Sequence, residues 1–81
     1  MSQPLQAESL IINFQRILRE IREERGATIY RIATDAGISW RMLKQIEKGE
    51  RRPSLEVFCK ICLGMGLKPS ELLSKIENAS T

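Results

Sequence analysis

The apolar positions of the chain fall into five runs with helical spacing, separated by glycine, proline and hydroxyl residues. From Leu5 to Arg25, Leu10, Ile11, Phe14, Ile17, Leu18 and Ile21 recur at steps of three and four, which predicts a long first helix stopped at Gly26. Pro4 suits the first turn of that helix, Met1 to Gln3 read as a frayed polar end, and Ile12 sits off the apolar stripe. Thr28 is a fitting N-cap for a second helix ending near Ala36. Gly37 then turns the backbone, and Ser39 caps a third helix in which Leu43 and Ile46 point inward and Gly49 marks the end. With those two inward, Trp40, Arg41, Lys44, Gln45 and Lys48 point outward. Ser54 caps a fourth helix with Leu55, Phe58, Ile61, Cys62 and Met65 as its inward set, its end loosened by Gly64 and Gly66. Pro69 starts a fifth helix carrying Leu72, Leu73 and Ile76, followed by a polar tail from Asn78 to Thr81. The pattern predicts five helices and no strand.

The stretch from Ile29 to Lys48 holds two short helices joined through Ala36-Gly37-Ile38-Ser39, a helix-turn-helix pattern. Charge singles out the same stretch. The net charge is +3, and residues 31–52 hold six basic side chains against three acidic ones, while the remainder is balanced at seven of each. The whole positive excess therefore lies on the two short helices and the loop Glu50-Arg51-Arg52-Pro53 after them, as a phosphate-binding surface requires.

Other chemistry finds little support. The 81 residues suffice for one small domain, with a core at about 5–77. No apolar run approaches the roughly 18 residues that cross a bilayer, and no signal-type segment opens the chain, so a cytoplasmic protein without membrane contact is expected. There is no histidine, and neither a nucleophile-base pair nor an acidic dyad, so an enzyme is not expected. Cys59-Lys60-Ile61-Cys62 has the spacing of a redox or metal motif, yet it lies inside a predicted helix. One chain lacks the further thiols or imidazoles of a four-ligand zinc site. Core packing is the preferred reading, with no metal and no cofactor. No small-molecule ligand is evident, and a chain ending soon after the fifth helix leaves no room for an inducer-binding or self-cleaving domain.

Several signatures occur here in one order: Leu18-Arg19-Glu20-Ile21-Arg22 before Gly26, Ile32-Ala33 with Ala36-Gly37-Ile38, Leu43, Ile46-Glu47-Lys48-Gly49, Pro53-Ser54-Leu55, and Ile61. By these residues the chain, from about Phe14 to Ile76, resembles the Cro/cI-type helix-turn-helix family of phage repressors and bacterial regulators, the XRE family. The resemblance implies an all-α, five-helix, lambda-repressor-like domain with an extended first helix and the helix-turn-helix at 29–48. In such proteins the second helix crosses the DNA backbone and the third lies in the major groove. That implies base reading by Trp40, Arg41, Lys44 and Gln45, with Arg41 matching guanine and Gln45 matching adenine. Thr28, Ser39, Lys48, Arg51 and Arg52 fall at phosphate-contacting positions, although Thr28 and Ser39 also read as plain caps. Arg22 and Glu47 occupy positions that in the family form a buried ion pair joining the first helix to the reading helix.

Two departures stand out. Ile29 replaces the glutamine that usually grips a phosphate at the start of the second helix, and Trp40 is large and apolar for a reading position. Trp40 can pack on thymine methyls and sugars, tuck back against Tyr30 or Ile29, or join Ile29, Tyr30 and Met42 in an apolar patch for a protein partner. The leading expectation is a homodimeric repressor on a palindromic operator in double-stranded DNA. The alternative is a protein-interaction module, antitoxin-like or a co-regulator, built on the patch around Trp40. The dimer interface is expected at Leu72, Leu73 and Ile76 by likeness to phage repressors, with the first helix near Leu5 and Ile12 as the other option.

Overall fold

The computed structural model describes residues 5–80, so the expectations for Met1 to Pro4 and for Thr81 lie outside it. Five helices follow one another: α1 (Ala7–Glu24), α2 (Ile29–Ala36), α3 (Trp40–Glu47), α4 (Leu55–Gly64) and α5 (Pro69–Ser80). No strand occurs among the described residues. Helix α1 packs on α3 and α5, α2 packs on α3 and α4, and α4 closes against α5.

Local chemistry sets the starts of the three central helices. The hydroxyl oxygens of Thr28, Ser39 and Ser54 accept from the backbone N–H of Arg31, Met42 and Val57 at 3.0, 3.1 and 3.1 Å, each satisfying a donor with no partner inside its helix. The turn between α2 and α3 depends on Gly37, whose φ of 73° is left-handed. A side chain there meets its own backbone, and glycine has none. Ile38 N–H closes the turn on the Ala33 carbonyl at 3.0 Å.

One core joins all five helices. Phe14, Ile17, Leu18 and Ile21 of α1 meet Ile32 and Ala33, Leu43 and Ile46, Ile61 and Cys62, and Leu72 and Ile76, with Met65 between α4 and α5. Phe14 and Phe58 add a tilted ring contact at 5.7 Å. Helices α2 and α4 approach closely at Gly64: a Cβ built there would lie 2.7 Å from the Ala36 nitrogen. Gly64 therefore serves close packing and is the last residue of α4, where the sequence suggested a loosened end.

The structure corrects two further expectations. Leu55 does not point inward; it is 78% exposed, while Val57 and Phe58 of the same turn pack against the core. Asn78 to Ser80 are not a tail but the last turn of α5. Ser80 Oγ accepts from Asn13 Nδ2 at 2.7 Å and donates to the Ile76 carbonyl at 2.8 Å, fastening that turn to α1.

Candidate nucleic-acid interface

Helix α3 is held from three sides. Leu43 and Ile46 are fully buried, Ser39 caps its start, and Glu47 at its end turns inward rather than toward solvent. The Glu47 side chain is 2% exposed and takes two hydrogen bonds from Arg22, Nε to Oε2 at 2.8 Å and NH2 to Oε1 at 3.0 Å. Arg22 NH1 also donates to the Ala27 carbonyl at 3.0 Å, so one side chain of α1 ties together the α1–α2 connection and the end of α3. The hydrogen bond from Arg22 to Glu47 holds the guanidinium pKa above the ordinary arginine range, against the opposing effect of burial. Arg19 Nε stands 3.8 Å from the same carboxylate, a neighbour that sequence reasoning did not identify.

With that face inward, Trp40, Arg41 and Lys44 emerge together on the exposed side, and Gln45 lies half-buried at its edge. The Arg41 guanidinium carbon and the Lys44 Nζ are each 6.0 Å from the Trp40 ring centroid, within cation–π range. Gln45 Oε1 accepts from Arg51 NH1 across a long 3.5 Å contact that links the basic loop to the edge of α3. Thr28 and Ser39 stand at the starts of α2 and α3, Lys48 at the end of α3, and Arg51 and Arg52 in the following loop; all five are exposed. The cap bonds use oxygen lone pairs of Thr28 and Ser39, which leaves each hydroxyl proton able to donate to a phosphate.

Charge on this face is more one-sided than the sequence count indicates. Of the three acidic residues in the stretch, Glu47 is buried against Arg22 and Asp35 is paired with Arg31 at 3.0 Å. Arg41, Lys44, Lys48, Arg51 and Arg52 therefore face outward with Glu50 as the exposed acidic neighbour.

Two other groupings separate. Of the apolar patch around Trp40, Ile29 and Met42 are half-buried and packed on the core, leaving Tyr30, 68% exposed, and Trp40, 44% exposed, at the surface. The expected dimer set also divides. Leu72 and Ile76 are buried in the protomer's own core, on the face of α5 that meets α1 and α4, although Ile76 also borders the groove described next; Leu73 is at the surface, 46% exposed. Beside Leu73 runs an apolar groove of about 380 Å³ lined by Leu10, Ile11, Phe58 and Leu55.

Cys59 is half-buried and Cys62 fully buried, both as free thiols, and burial pushes the Cys62 pKa up to about 11. A contact missed from the sequence is Arg25, whose NH1 donates to the Met65 carbonyl at the end of α4. An arginine one residue before a glycine stop gives no sign of its distant partner. Among the described residues no helix is long and apolar enough to cross a membrane.

Residues 18–72 match the family model described as Helix-turn-helix. Among curated proteins, the chain is 32% identical over 73 residues to the HTH-type transcriptional regulator SutR of Escherichia coli (strain K12), a match covering 90% of this chain and 41% of that protein. The chain thus spans well under half the length of that relative. Among solved structures, the restriction-modification controller protein C.AhdI from Aeromonas hydrophila superposes with a TM-score of 0.72 and 27% identity, covering 76% of this chain and 94% of its own. The clp gene regulator ClgR from Corynebacterium glutamicum superposes with a TM-score of 0.77 over 95% of this chain and 78% of its own; at 23% identity that likeness concerns the fold.

Proposed function

This chain belongs to the XRE-type helix-turn-helix family, and from that premise we propose that it is a sequence-specific DNA-binding transcriptional regulator, a homodimeric repressor that reads a palindromic operator through α3. The observation that carries this reading is the composition of the outward face. Arg41 and Lys44 flank Trp40, while Lys48, Arg51 and Arg52 are exposed at the end of α3 and in the loop after it; of the three carboxylates in residues 31–52, Glu47 is turned inward and Asp35 is paired, leaving Glu50 exposed. Trp40, Arg41, Lys44 and Gln45 read base edges; Thr28, Ser39, Lys48, Arg51 and Arg52 hold phosphates and set the docking register. The Arg22–Glu47 pair fixes the angle at which α3 is presented.

A dimer suits a helix eight residues long, since one such helix reaches only a few base pairs and joining two readers multiplies affinity through effective concentration. We assign the second protomer to the apolar groove rimmed by Leu55 and Leu73, which leaves the basic face free. Repression then requires only that the operator be occupied. The protein-interaction reading loses support because Ile29 and Met42 are packed on the core.

Salt-titrated binding to selected and random DNA tests the function. Regulation by sequence predicts a steep fall of log K with log salt and a large preference for the selected DNA. Arg41→Ala and Gln45→Ala should abolish that preference, whereas Arg52→Ala weakens all sequences alike. Weak, sequence-blind binding by the unaltered protein would refute the reading.

A further inference from the structure

Trp40 offers what the other outward residues of α3 do not, an apolar ring at the surface beside two cations. In the major groove the apolar feature of a base edge is the C5-methyl group of a pyrimidine. Resting on the DNA-reading role above, we propose that Trp40 and Arg41 act as one reader of a dinucleotide step: a C5-methylated pyrimidine followed by guanine, whether thymine-guanine or 5-methylcytosine-guanine.

The geometry supports joint action. The two residues are consecutive, and the Arg41 guanidinium carbon lies 6.0 Å from the Trp40 ring centroid, so the two groups emerge side by side. Neighbouring base pairs are separated by about 3.4 Å along the helix axis, with a lateral offset between their edges, so groups this close fall on adjacent pairs rather than distant ones. Among the described residues no carboxylate pairs with Arg41, so its planar donors are available to the O6 and N7 acceptors of guanine. The ring holds that guanidinium near its face while its own apolar surface covers the methyl group of the preceding base. Thymine and 5-methylcytosine carry this methyl in the same place; uracil and unmodified cytosine lack it. The part of Trp40 placed over the base is its apolar ring, which makes no hydrogen bond to either the O4 of thymine or the N4 amine of cytosine. The methyl group is what it senses.

The test uses the full chain and its selected operator, with each thymine replaced in turn by deoxyuridine and affinity measured by fluorescence anisotropy at fixed salt. One thymine per half-site, immediately 5′ of a guanine, should prove sensitive, with affinity falling about fourfold, the worth of one methyl group withdrawn from water. Changing that step to cytosine-guanine should weaken binding, and methylating the cytosine should restore it by a similar factor. Trp40→Ala should erase both differences, and Trp40→Phe, which keeps a ring, should retain them. Specific binding that is indifferent to deoxyuridine at every position would overturn the inference and place Trp40 against sugar or solvent. A methyl preference that persists in Trp40→Ala would overturn it equally. Absence of any sequence preference would sink the regulatory reading and this inference with it.

Discussion

Arg22→Met removes the cation that neutralises the buried end of α3. Glu47 would keep a carboxylate that is 2% exposed, having lost both hydrogen bonds from Arg22, with Arg19 3.8 Å away on a half-exposed side chain as its remaining cationic neighbour. Removing one partner of a buried pair typically costs about 3–5 kcal/mol, because the desolvation cost of the survivor is no longer offset. For a chain of 81 residues the whole folding free energy is roughly 4–12 kcal/mol, so this one change is expected to remove about a quarter of it or more. The melting temperature should fall by upwards of about 12 °C. Urea denaturation should show a lower midpoint with an unchanged slope, since the same surface is exposed on unfolding. The double variant Arg22→Met/Glu47→Leu leaves no charge behind and should recover most of the lost stability. Its operator affinity should nevertheless stay below that of the unaltered protein, because apolar packing alone, without the directional hydrogen bonds of Arg22, then ties the end of α3 to α1. Arg22→Met within about 0.5 kcal/mol of the unaltered protein would refute the burial argument, and full operator affinity in the double variant would refute the orienting role.

Gly64→Ala gains about 1 kcal/mol of helix propensity, but its Cβ would sit 2.7 to 2.9 Å from Ala36 N, Cα and Cβ, and overpacking of about 1–3 kcal/mol should leave the variant less stable in urea; an increase in stability would show that α2 yields freely. Cys62 should resist alkylation at pH 8 while Cys59 reacts, and both should react in denaturant, because burial raises the Cys62 pKa to about 11. The unfolded thiol loses its proton first, near its usual value of about 8.5, so this contribution to stability is full below that pH and is lost as pH rises toward 11; equal labelling rates in the native protein would contradict the buried placement. Leu55→Glu and Leu73→Glu should dissociate the dimer in sedimentation while leaving the protomer folded, whereas Leu72→Glu should unfold it.

What the sequence made legible follows from what periodicity encodes. The stripe Phe14, Ile17, Leu18 and Ile21 and the caps Thr28, Ser39 and Ser54 are local signals, and the helices formed where those signals lie. Periodicity states which face of a helix is apolar, but not whether a neighbour exists to cover it. That is why Leu55, on the same face as Cys62 one turn-pair later, is exposed, and why Leu72 and Leu73 cannot be sorted into core and surface by hydrophobicity. The last turn of α5 depends on Asn13, 67 positions away from Ser80, and the Arg25 contact spans 40 positions. Neither has a local signature. In the interface, helical spacing supplied the outward positions of α3, and family likeness supplied the expected base-reading roles and the Arg22–Glu47 pairing. The clustering of Arg41 and Lys44 around Trp40, and the second cation that Arg19 brings to Glu47, emerged only from three dimensions.

Selection of bound sequences from a random duplex pool tests the central claim most directly. The account predicts convergence on a two-fold symmetric site whose half-sites are centred about 10 base pairs apart, each containing a guanine whose preference disappears when the selection is repeated with Arg41→Ala. A pool that stays random after repeated rounds, or a preference unchanged in Arg41→Ala, would contradict it.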